Sequence, residues 1–286
     1  MDTGYWILDT GYWILDNRSR IFCSFLLIQH PASRIQHCFL KMSKLYLHLR
    51  KRFEQAALKH GMLAEGDRVL VGVSGGADSL TLLKLITGPL LFVPKPEFVL
   101  AVFVDLGFEG TDGQQAQAMK DYFEKEGVPY RIEKSNIGLL SHSDYNRKAS
   151  PCFLCSRLRR RKLFELAREY KCNKLALAHN KDDVIETLLL NIFFGREIST
   201  MIPYQSYFQG EFHMIRPFAY TDEHLLKRFA REAELPVMEN PCPTANHTKR
   251  EYIKDLIKKL DKDHRGVREN IFKAMMHVKP DYLLKK

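Results

Sequence analysis

The stretch Val71-Gly-Val-Ser-Gly-Gly-Ala-Asp-Ser79 is the part of the chain that decides the fold. The apolar run at residues 68–73 has the pattern of a buried strand, and residues 80–86 have the pattern of a helix. A strand that turns through glycines into a helix presents unpaired N–H groups and the positive end of the helix dipole to one point. The stretch therefore predicts an anion site of the kind that binds phosphate.

The residue types within this loop indicate which anion it binds. Gly75 and Gly76 let the backbone come close to a phosphate, and the hydroxyls of Ser74 and Ser79 can donate hydrogen bonds. Asp78 would repel a phosphate unless a metal ion lay between them, so it indicates a nucleotide bound with Mg²⁺. The predicted nucleotide-binding residues of the loop are Ser74, Gly75, Gly76, Ala77, Asp78 and Ser79.

The motif Ser-Gly-Gly-x-Asp-Ser at residues 74–79 resembles the PP-loop of the ATP pyrophosphatases, which split ATP into AMP and pyrophosphate. It is not a Walker loop, because the lysine and the spacing of that loop are missing. The alternative is a glycine turn capped by serine that binds no ligand. The predicted strand and helix on either side favour the pyrophosphatase loop.

Alternating strand and helix patterns along the chain predict an α/β fold with a parallel sheet covered by helices on both faces. Strands are predicted at 68–73, 98–105, 129–134 and 174–179, with a short edge strand at 212–216. Helices are predicted at 79–88, 112–126, 153–170 and 181–194, and then at 221–234, 247–260 and 263–277. The predicted organisation is one domain over 42–286, with a core at 45–220 and a C-terminal helical part at 221–286.

Ligands of such sheets bind beyond the carboxyl ends of the strands. Three segments follow strand ends and are expected to converge on one cleft: the loop at 74–79, Val104 with Asp105, and His179 with Asn180. Val104, Asp105 and His179 are therefore added to the predicted nucleotide-binding residues.

Residues 1–41 are treated separately. Residues 2–8 read Asp-Thr-Gly-Tyr-Trp-Ile-Leu and residues 9–15 repeat them without change. The repeat lacks the apolar seam of a coiled coil and the cleavage site of a signal peptide. We expect residues 1–41 to be a non-native or disordered extension, with the native fold beginning in a helix from Met42 to about His60.

Composition narrows the class of partner and the compartment. The chain has 286 residues, a formal net charge of +10 and six cysteines. An excess of positive charge indicates a polyanionic partner, and Arg and Lys cluster at residues 157–162 and 249–286. No apolar run reaches the roughly 18 residues of a membrane span, so no membrane partner is expected. The cysteine usage does not match a secreted disulfide framework and predicts a reducing, cytoplasmic location.

Three cysteines form a second candidate site. Cys152 and Cys155 have the spacing of a ligand pair, and Cys155 lies near a helix start, where a thiolate is stabilised. Cys242 lies between two prolines in a rigid turn, whereas Cys172 precedes a strand and is interpreted as a packing residue. Zinc with a fourth ligand, for which His142 and His247 are candidates, and an iron–sulfur cluster with an open position both fit this pattern.

Taken together, the motifs resemble the tRNA 2-thiocytidine synthetase family, the TtcA-type tRNA thiolases. The motifs are Ser-Gly-Gly-Ala-Asp-Ser at 74–79, Cys-Phe-Leu-Cys-Ser-Arg-Leu-Arg-Arg at 152–160, Ala-His-Asn-Lys-Asp-Asp at 178–183, Ile-Arg-Pro-Phe-Ala-Tyr at 215–220 and the later Cys242. The resemblance covers residues 45–284. It implies a HUP-type fold in which ATP adenylates the C2 oxygen of an anticodon-loop cytidine and sulfur replaces AMP.

The resemblance also implies the roles of several residues. Cys152, Cys155 and Cys242 would hold a 4Fe–4S cluster whose fourth iron carries the sulfur, and Asp78 would hold Mg²⁺. Asp183 matches an acidic residue used in related thiolases, and Arg159 falls where some relatives place a catalytic lysine. The implied catalytic residues are Asp183, Arg159, Cys152 and Cys242. The implied partners are tRNA, a sulfur donor (a cysteine desulfurase system or sulfide) and a second copy in a homodimer.

Two residues depart from the patterns of these enzyme families, and alternative functions therefore stay open. Ala77 stands where 2-thiocytidine synthetases usually have lysine, and Asn180 stands where tRNA-Ile lysidine synthetases often have a second histidine. A lysidine synthetase would leave the three cysteines without a role. A tRNA 2-thiouridine synthetase typically carries N-terminal zinc-finger cysteine pairs, and none precedes residue 152. A non-catalytic nucleotide-binding or tRNA-binding module would bind ATP without forming AMP.

Overall fold

The computed structural model describes residues 13–15, 21–23, 43–108, 113–144, 146, 150–245 and 248–284. The first unit, residues 1–42, contains strands β1 (Trp13–Leu15) and β2 (Ile21–Cys23), which pair antiparallel. The remainder of the predicted extension at 1–41 lies outside the described residues. The second unit begins at Ser43 and contains every element discussed below.

The second unit alternates helices and strands, as the sequence predicts. Its first elements are α1 (Lys44–Lys59), β3 (Arg68–Val73), α2 (Ala77–Thr87), β4 (Phe98–Asp105), α3 (Gln114–Glu126), β5 (Tyr130–Lys134), α4 (Ile137–His142) and α5 (Pro151–Glu169). They are followed by β6 (Lys174–Ala176), α6 (Lys181–Leu190), β7 (Tyr204–Tyr207), β8 (Phe212–Ile215), α7 (Glu223–Glu232), α8 (Lys249–Asp263) and α9 (Val267–Ala274). A π-helical turn, Asn191–Gly195, extends α6.

The six strands β3 to β8 form one sheet in the order β5-β4-β3-β6-β8-β7. Every pair is parallel except β7 with β8. The chain runs outward from β3 through β4 to β5 and then returns to β6 on the other side of β3. The order therefore reverses beside β3, which is where an α/β sheet opens a crevice for a ligand.

Helices cover the sheet and bury its apolar side chains. On one face α5 packs on the strands in a core that includes Leu70, Val102, Phe164, Leu175 and Met214. A Cβ on Gly72 would lie 2.9 Å from Leu177 Cδ2 and 3.3 Å from Leu163 Cδ1, so a glycine lets α5 approach β3. A second cluster of Val184, Ile185, Ile253, Ile257 and Phe272 joins α6 to α8 and α9.

The predicted α/β fold with a sheet covered on both faces is confirmed, and some element boundaries differ. The strand predicted at 174–179 stops at Ala176, because the chain then turns so that Asn180 can cap α6. The predicted edge strand at 212–216 lies one position inside the edge, because the unpredicted β7 pairs outside it. The six-residue helix α4 was also not predicted.

Two helices begin earlier than predicted because of their caps. Helix α2 begins at Ala77, directly after Gly76, and α5 begins at Pro151 with the Ser150 hydroxyl accepting the Phe153 N–H. Proline is favourable at a first helical position, where its missing N–H has no helical partner in any case. Among the described residues, no helix is both long enough and apolar enough to cross a bilayer.

Candidate active site

The loop between β3 and α2 is built around Gly75 and two serines. Gly75 has a φ of +81°, which a residue with a Cβ adopts only with strain. The Ser79 hydroxyl accepts the Ser74 N–H (3.1 Å) and donates to the Gly76 carbonyl (2.9 Å). These bonds fix the loop with the first N–H groups of α2 free of helical partners, which is the arrangement that binds a phosphate.

A segment from the C-terminal half of the chain lies over this loop. We call residues 236–244 the strap. The Met238 N–H donates to the Gly75 carbonyl (3.0 Å), and the Gln115 side-chain amide donates to the Glu239 carbonyl (2.9 Å). A Cβ on Gly75 would lie 2.1 Å from Met238 Cε, so the glycine permits both the positive φ and the approach of the strap.

Asp78 extends from the first turn of α2 toward the N-terminus of α6. Its Oδ2 accepts from the Asn180 side-chain amide (2.9 Å), whereas Oδ1 is buried with no hydrogen-bond partner. Burial, and then the nearby charge of Asp183, raise the pKa of Asp78 to about 7. A buried carboxylate oxygen without a donor is a suitable ligand for a hard cation such as Mg²⁺.

Asp183 belongs to a capping box at the start of α6. Its Oδ2 accepts the Asn180 N–H (2.9 Å), and the Asn180 side chain accepts the Asp183 N–H (3.1 Å). Arg250 of α8 reaches Asp183 Oδ1 (3.4 Å) and Glu186 Oε2 (2.9 Å). Burial raises the pKa of Asp183 despite these contacts. The residue therefore caps the helix and also places a second carboxyl group beside Asp78.

The other predicted nucleotide-binding residues lie at or just after the carboxyl ends of their strands, as the loop between β3 and α2 does. Asp105 ends β4, and its Oδ1 accepts the Gly107 N–H (3.0 Å). The Val104 side chain is buried in the core, so only its backbone is available for the predicted contact with a nucleotide. Desolvation, followed by the cations Arg216 and Arg159, lowers the pKa of His179 to about 3. His179 is thus neutral and can offer a hydrogen bond but no charge to a phosphate.

The three candidate ligand cysteines lie on neighbouring segments. Cys152 and Cys155 are in the first turns of α5, and Cys242 is in the strap. Cys155 is close enough to both other thiols for each of them to raise its pKa. Within the described residues no group of three Cys, His, Asp or Glu side chains is gathered closely enough to hold a metal ion as it stands. The donor set, three cysteine sulfurs on neighbouring segments, nevertheless fits the chemistry of an iron–sulfur cluster, which is held by thiolates.

Two expectations for the cysteines have opposite outcomes. The prediction that a helix start stabilises the Cys155 thiolate is wrong. Burial has the largest effect on this thiol and raises its pKa, and the nearby charge of Arg159 lowers the pKa by less. Cys172 is 2% exposed and packs in the core with Leu175, so its interpretation as a packing residue is confirmed. The candidate fourth ligand His247 lies outside the described residues.

Asn180 is the residue whose role was missed. The sequence places Asn180 beside the expected cleft and marks it as a departure from a histidine of the lysidine synthetases, but predicts no contact for its side chain. In the structure its amide joins Asp78 to the capping box of α6. An asparagine directly before a helix with two aspartates in its first turn was the available signal, since asparagine is among the strongest N-cap residues.

Comparison with known proteins first defines the class. Residues 45–260 match the family model of the PP-loop domain. The chain is 34% identical over 245 residues to the tRNA-cytidine(32) 2-sulfurtransferase of Geotalea daltonii, and the alignment covers 85% of this chain and 96% of the relative. It is 36% identical over 244 residues to the protein of the same name from Yersinia enterocolitica, covering 85% of this chain and 77% of the relative.

A solved structure of the same class is also similar. The U34-tRNA thiolase NcsA from Methanococcus maripaludis, determined with its [4Fe-4S] cluster, aligns with a TM-score of 0.64 at 25% identity and covers 82% of this chain and 80% of its own. The chain therefore belongs to the PP-loop family of the tRNA-cytidine(32) 2-sulfurtransferases.

Replacement of Gly75 by alanine tests the contact between loop and strap. We expect Gly75→Ala to lower the affinity for ATP at least tenfold, because the new Cβ must displace Met238 from the loop. Gly66→Ala is the matched control, since Gly66 also has a positive φ (+78°) but nothing within 4 Å. Both variants are expected to lose about 1 kcal/mol in urea unfolding. Equal ATP affinities for the two variants, by calorimetry, would contradict the assignment.

Replacement of Asp78 by asparagine tests the buried carboxylate. Its pKa is raised from 3.8 to about 7 in the fold, so wild-type stability falls as pH rises between these values. Without Mg²⁺, Asp78→Asn is expected to exceed wild type in stability by about 1–3 kcal/mol at pH 8, with the advantage vanishing near pH 4. Mg²⁺ with ATP should stabilise only the wild type.

The control for this variant is Asp67→Asn. Asp67 is also buried, but the Ala64 N–H and the Asn173 amide donate to it and Lys174 lies 3.8 Å away. We expect its replacement to destabilise the protein across the same pH range. Urea unfolding curves at pH 4, 6 and 8 measure both effects, and a pH-independent difference for Asp78→Asn would show that its ionisation is not perturbed.

Proposed function

We propose that this chain is an ATP-dependent tRNA sulfurtransferase that replaces the C2 oxygen of an anticodon-loop cytidine with sulfur and so forms 2-thiocytidine. The observation that carries the proposal is the strap, which places Met238 against the PP-loop and Cys242 beside the thiol of Cys155. This connection supports a nucleotide site and a cluster site in one region. The names of the curated relatives support cytidine as the base and sulfur transfer as the reaction.

The first step activates a carbonyl carbon that is otherwise a poor electrophile. The C2 oxygen of cytidine attacks the α-phosphorus of ATP, the bond to the β-phosphate oxygen breaks, and pyrophosphate leaves with the electron pair. Gly75, Gly76 and the N-terminus of α2 stabilise the charge on the leaving phosphates. The unpartnered Oδ1 of Asp78 would hold Mg²⁺ at the same place, with Asp183 beside it.

The second step exchanges oxygen for sulfur. A sulfide equivalent attacks C2, the C2–O bond breaks, and AMP leaves with the oxygen. Arg159, near both Cys155 and His179, places a permanent positive charge where AMP departs, but it cannot act as a base. Cys152, Cys155 and Cys242 would hold a 4Fe–4S cluster, which supplies an iron site for the sulfur that is transferred.

The sulfur donor, the oligomeric state and the compartment are also part of the proposal. A cysteine desulfurase system or free sulfide is the proposed sulfur donor, and a homodimer is the proposed assembly. The proposed compartment is the cytoplasm, where tRNA is modified. Co-purification with a desulfurase and the mass of the protein in solution test the first two.

Nucleoside analysis of tRNA tests the function. A strain that lacks the gene should lose 2-thiocytidine and regain it with the wild-type chain or with Cys172→Ala, whose thiol only packs in the core. Cys242→Ala should restore none. A deletion strain that loses lysidine or 2-thiouridine while keeping 2-thiocytidine would replace the proposal with one of those activities, and ATP binding without AMP formation would indicate a binding module.

The basic face of α5 is the proposed tRNA contact. Arg157 and Arg160 are exposed, and within the described part of the chain neither has a carboxylate at ion-pair distance. We expect the double change Arg157→Ala with Arg160→Ala to weaken tRNA binding about tenfold in low salt. The slope of the logarithm of the binding constant against the logarithm of the salt concentration should become shallower by about two, because two fewer counterions are released. Arg161→Ala is the matched control, because Arg161 pairs with Glu165 at 2.9 Å. Filter binding over a salt series measures both, and equal effects of the two changes would contradict the assignment.

A further inference from the structure

The third thiol reaches the other two from a distant part of the sequence. Cys242 lies 100 residues from His142 of α4, yet the two side chains are 3.8 Å apart. Cys242 is flanked by Pro241 and Pro243, which have no N–H groups with which to bond to neighbouring backbone. The Cys242 carbonyl accepts the Ala245 N–H (3.1 Å) within the same turn, so side-chain contacts are what join this end of the strap to α4.

His142 is held in one orientation by α4. Its Nδ1 lies 2.9 Å from the Gly138 carbonyl, and a carbonyl oxygen only accepts, so Nδ1 is the donor of this hydrogen bond. The ring also packs edge-on against Phe108, with the centroids 5.5 Å apart. Its Nε2 is thereby left as an acceptor that faces the strap.

The Thr244 hydroxyl of the strap forms a hydrogen bond with Nε2 of His142. Thr244 Oγ1 lies 3.1 Å from His142 Nε2 and 3.4 Å from Cys242 Sγ. The hydroxyl donates to the histidine and keeps a lone pair toward the thiol. The Cys242 N–H is satisfied by Asn240 Oδ1 (3.1 Å), which closes the turn around the cysteine.

Within the described part of the chain, the turn that carries Cys242 borders open space. A cavity of about 410 Å³ opens beside it and is lined by Phe108, Gly138, Leu139, His142, Ser143, Pro241 and Pro243. Helix α4, in turn, packs against α5, which carries Cys152 and Cys155. His142 is thus the link between the helix pair that carries two thiols and the strap that carries the third.

We propose that His142 is the positioning residue for the third thiol: through Thr244 it holds the strap so that Cys242 faces the Cys152–Cys155 pair. This inference rests on the proposed function, because it assigns a consequence for an iron–sulfur cluster held by the three cysteines. His142 acts through Thr244 and through its own 3.8 Å contact with the Cys242 thiol, as a positioning residue that does not touch substrate. Without it, the turn at Cys242 is free to move into the adjacent cavity.

Cluster retention tests the proposal. After anaerobic reconstitution, His142→Leu and Thr244→Val are each expected to lose iron to a chelator at least tenfold faster than wild type, as followed by visible absorbance and iron analysis. His142→Gln should behave like wild type, because its amide oxygen can accept the Thr244 hydrogen where Nε2 stood. ATP affinity should not change, since Met238 still bonds to Gly75.

His277→Ala is the matched control. His277 makes the same Nδ1 contact to a carbonyl one helical turn earlier, that of Lys273 (2.9 Å), but it lies far along the chain from the strap and is exposed. Its replacement should leave the rate of iron loss unchanged. This separates the loss of a histidine at a helix end from the loss of the contact to Thr244.

The outcomes are distinct. If His142→Leu and Thr244→Val keep the cluster as long as wild type does, the positioning role is wrong and the proposed function stands. If wild type itself takes up no cluster, the proposed function fails and this inference falls with it. If His142→Leu does not fold, as judged by circular dichroism, Thr244→Val decides, because it leaves the histidine and its bond to Gly138 in place.

Discussion

The side-chain amide of Asn180 is the contact on which the active site depends. Its oxygen accepts the N–H groups of Asp182 and Asp183 and so caps α6, while its nitrogen donates to Asp78. One planar group therefore joins the helix that follows β3 to the helix that follows β6. Aspartate would cap α6 equally well, but it would place a further negative charge against Asp78. The position needs a residue that caps a helix and also donates.

The carboxyl groups around this amide are held in an unfavourable state. Burial raises the pKa of Asp78, Asp183 and Glu186, and Arg250 offsets part of this effect only for the last two. Such a cluster is stabilised by a proton or by a bound cation, so the apolar core beneath it must supply the stability that the site lacks. Strand β3, with Val69, Leu70 and Val71 fully buried, supplies that support directly below the loop.

The parts that sequence predicted are those set by local pattern. Buried runs such as β3 and β4, and the glycine turn that joins β3 to α2, depend on their own neighbours in the chain. Strand β7 escaped prediction because Tyr204–Tyr207 is a short, half-polar stretch at a sheet edge, where only pairing with β8 defines it. The pKa of Cys155 escaped prediction because the burial of this thiol depends on how α5 packs against α4 and on the strap, which lies far from α5 in sequence. The contacts of Asn180 and His142 span about a hundred residues for the same reason.

The strap sets the scale of the site. Met238 is bonded to the PP-loop, and Cys242 follows four residues later, so their Cα atoms are at most about 14 Å apart. Pro241 and Pro243 stiffen this short connection, and His142 fixes its far end through Thr244. The strap therefore keeps the residue that bonds to the PP-loop and the third thiol within one short, stiff segment. In the proposed function, the base activated at the loop would receive its sulfur in the same region, because Met238, which bonds to the loop, and Cys242 both belong to this nine-residue strap.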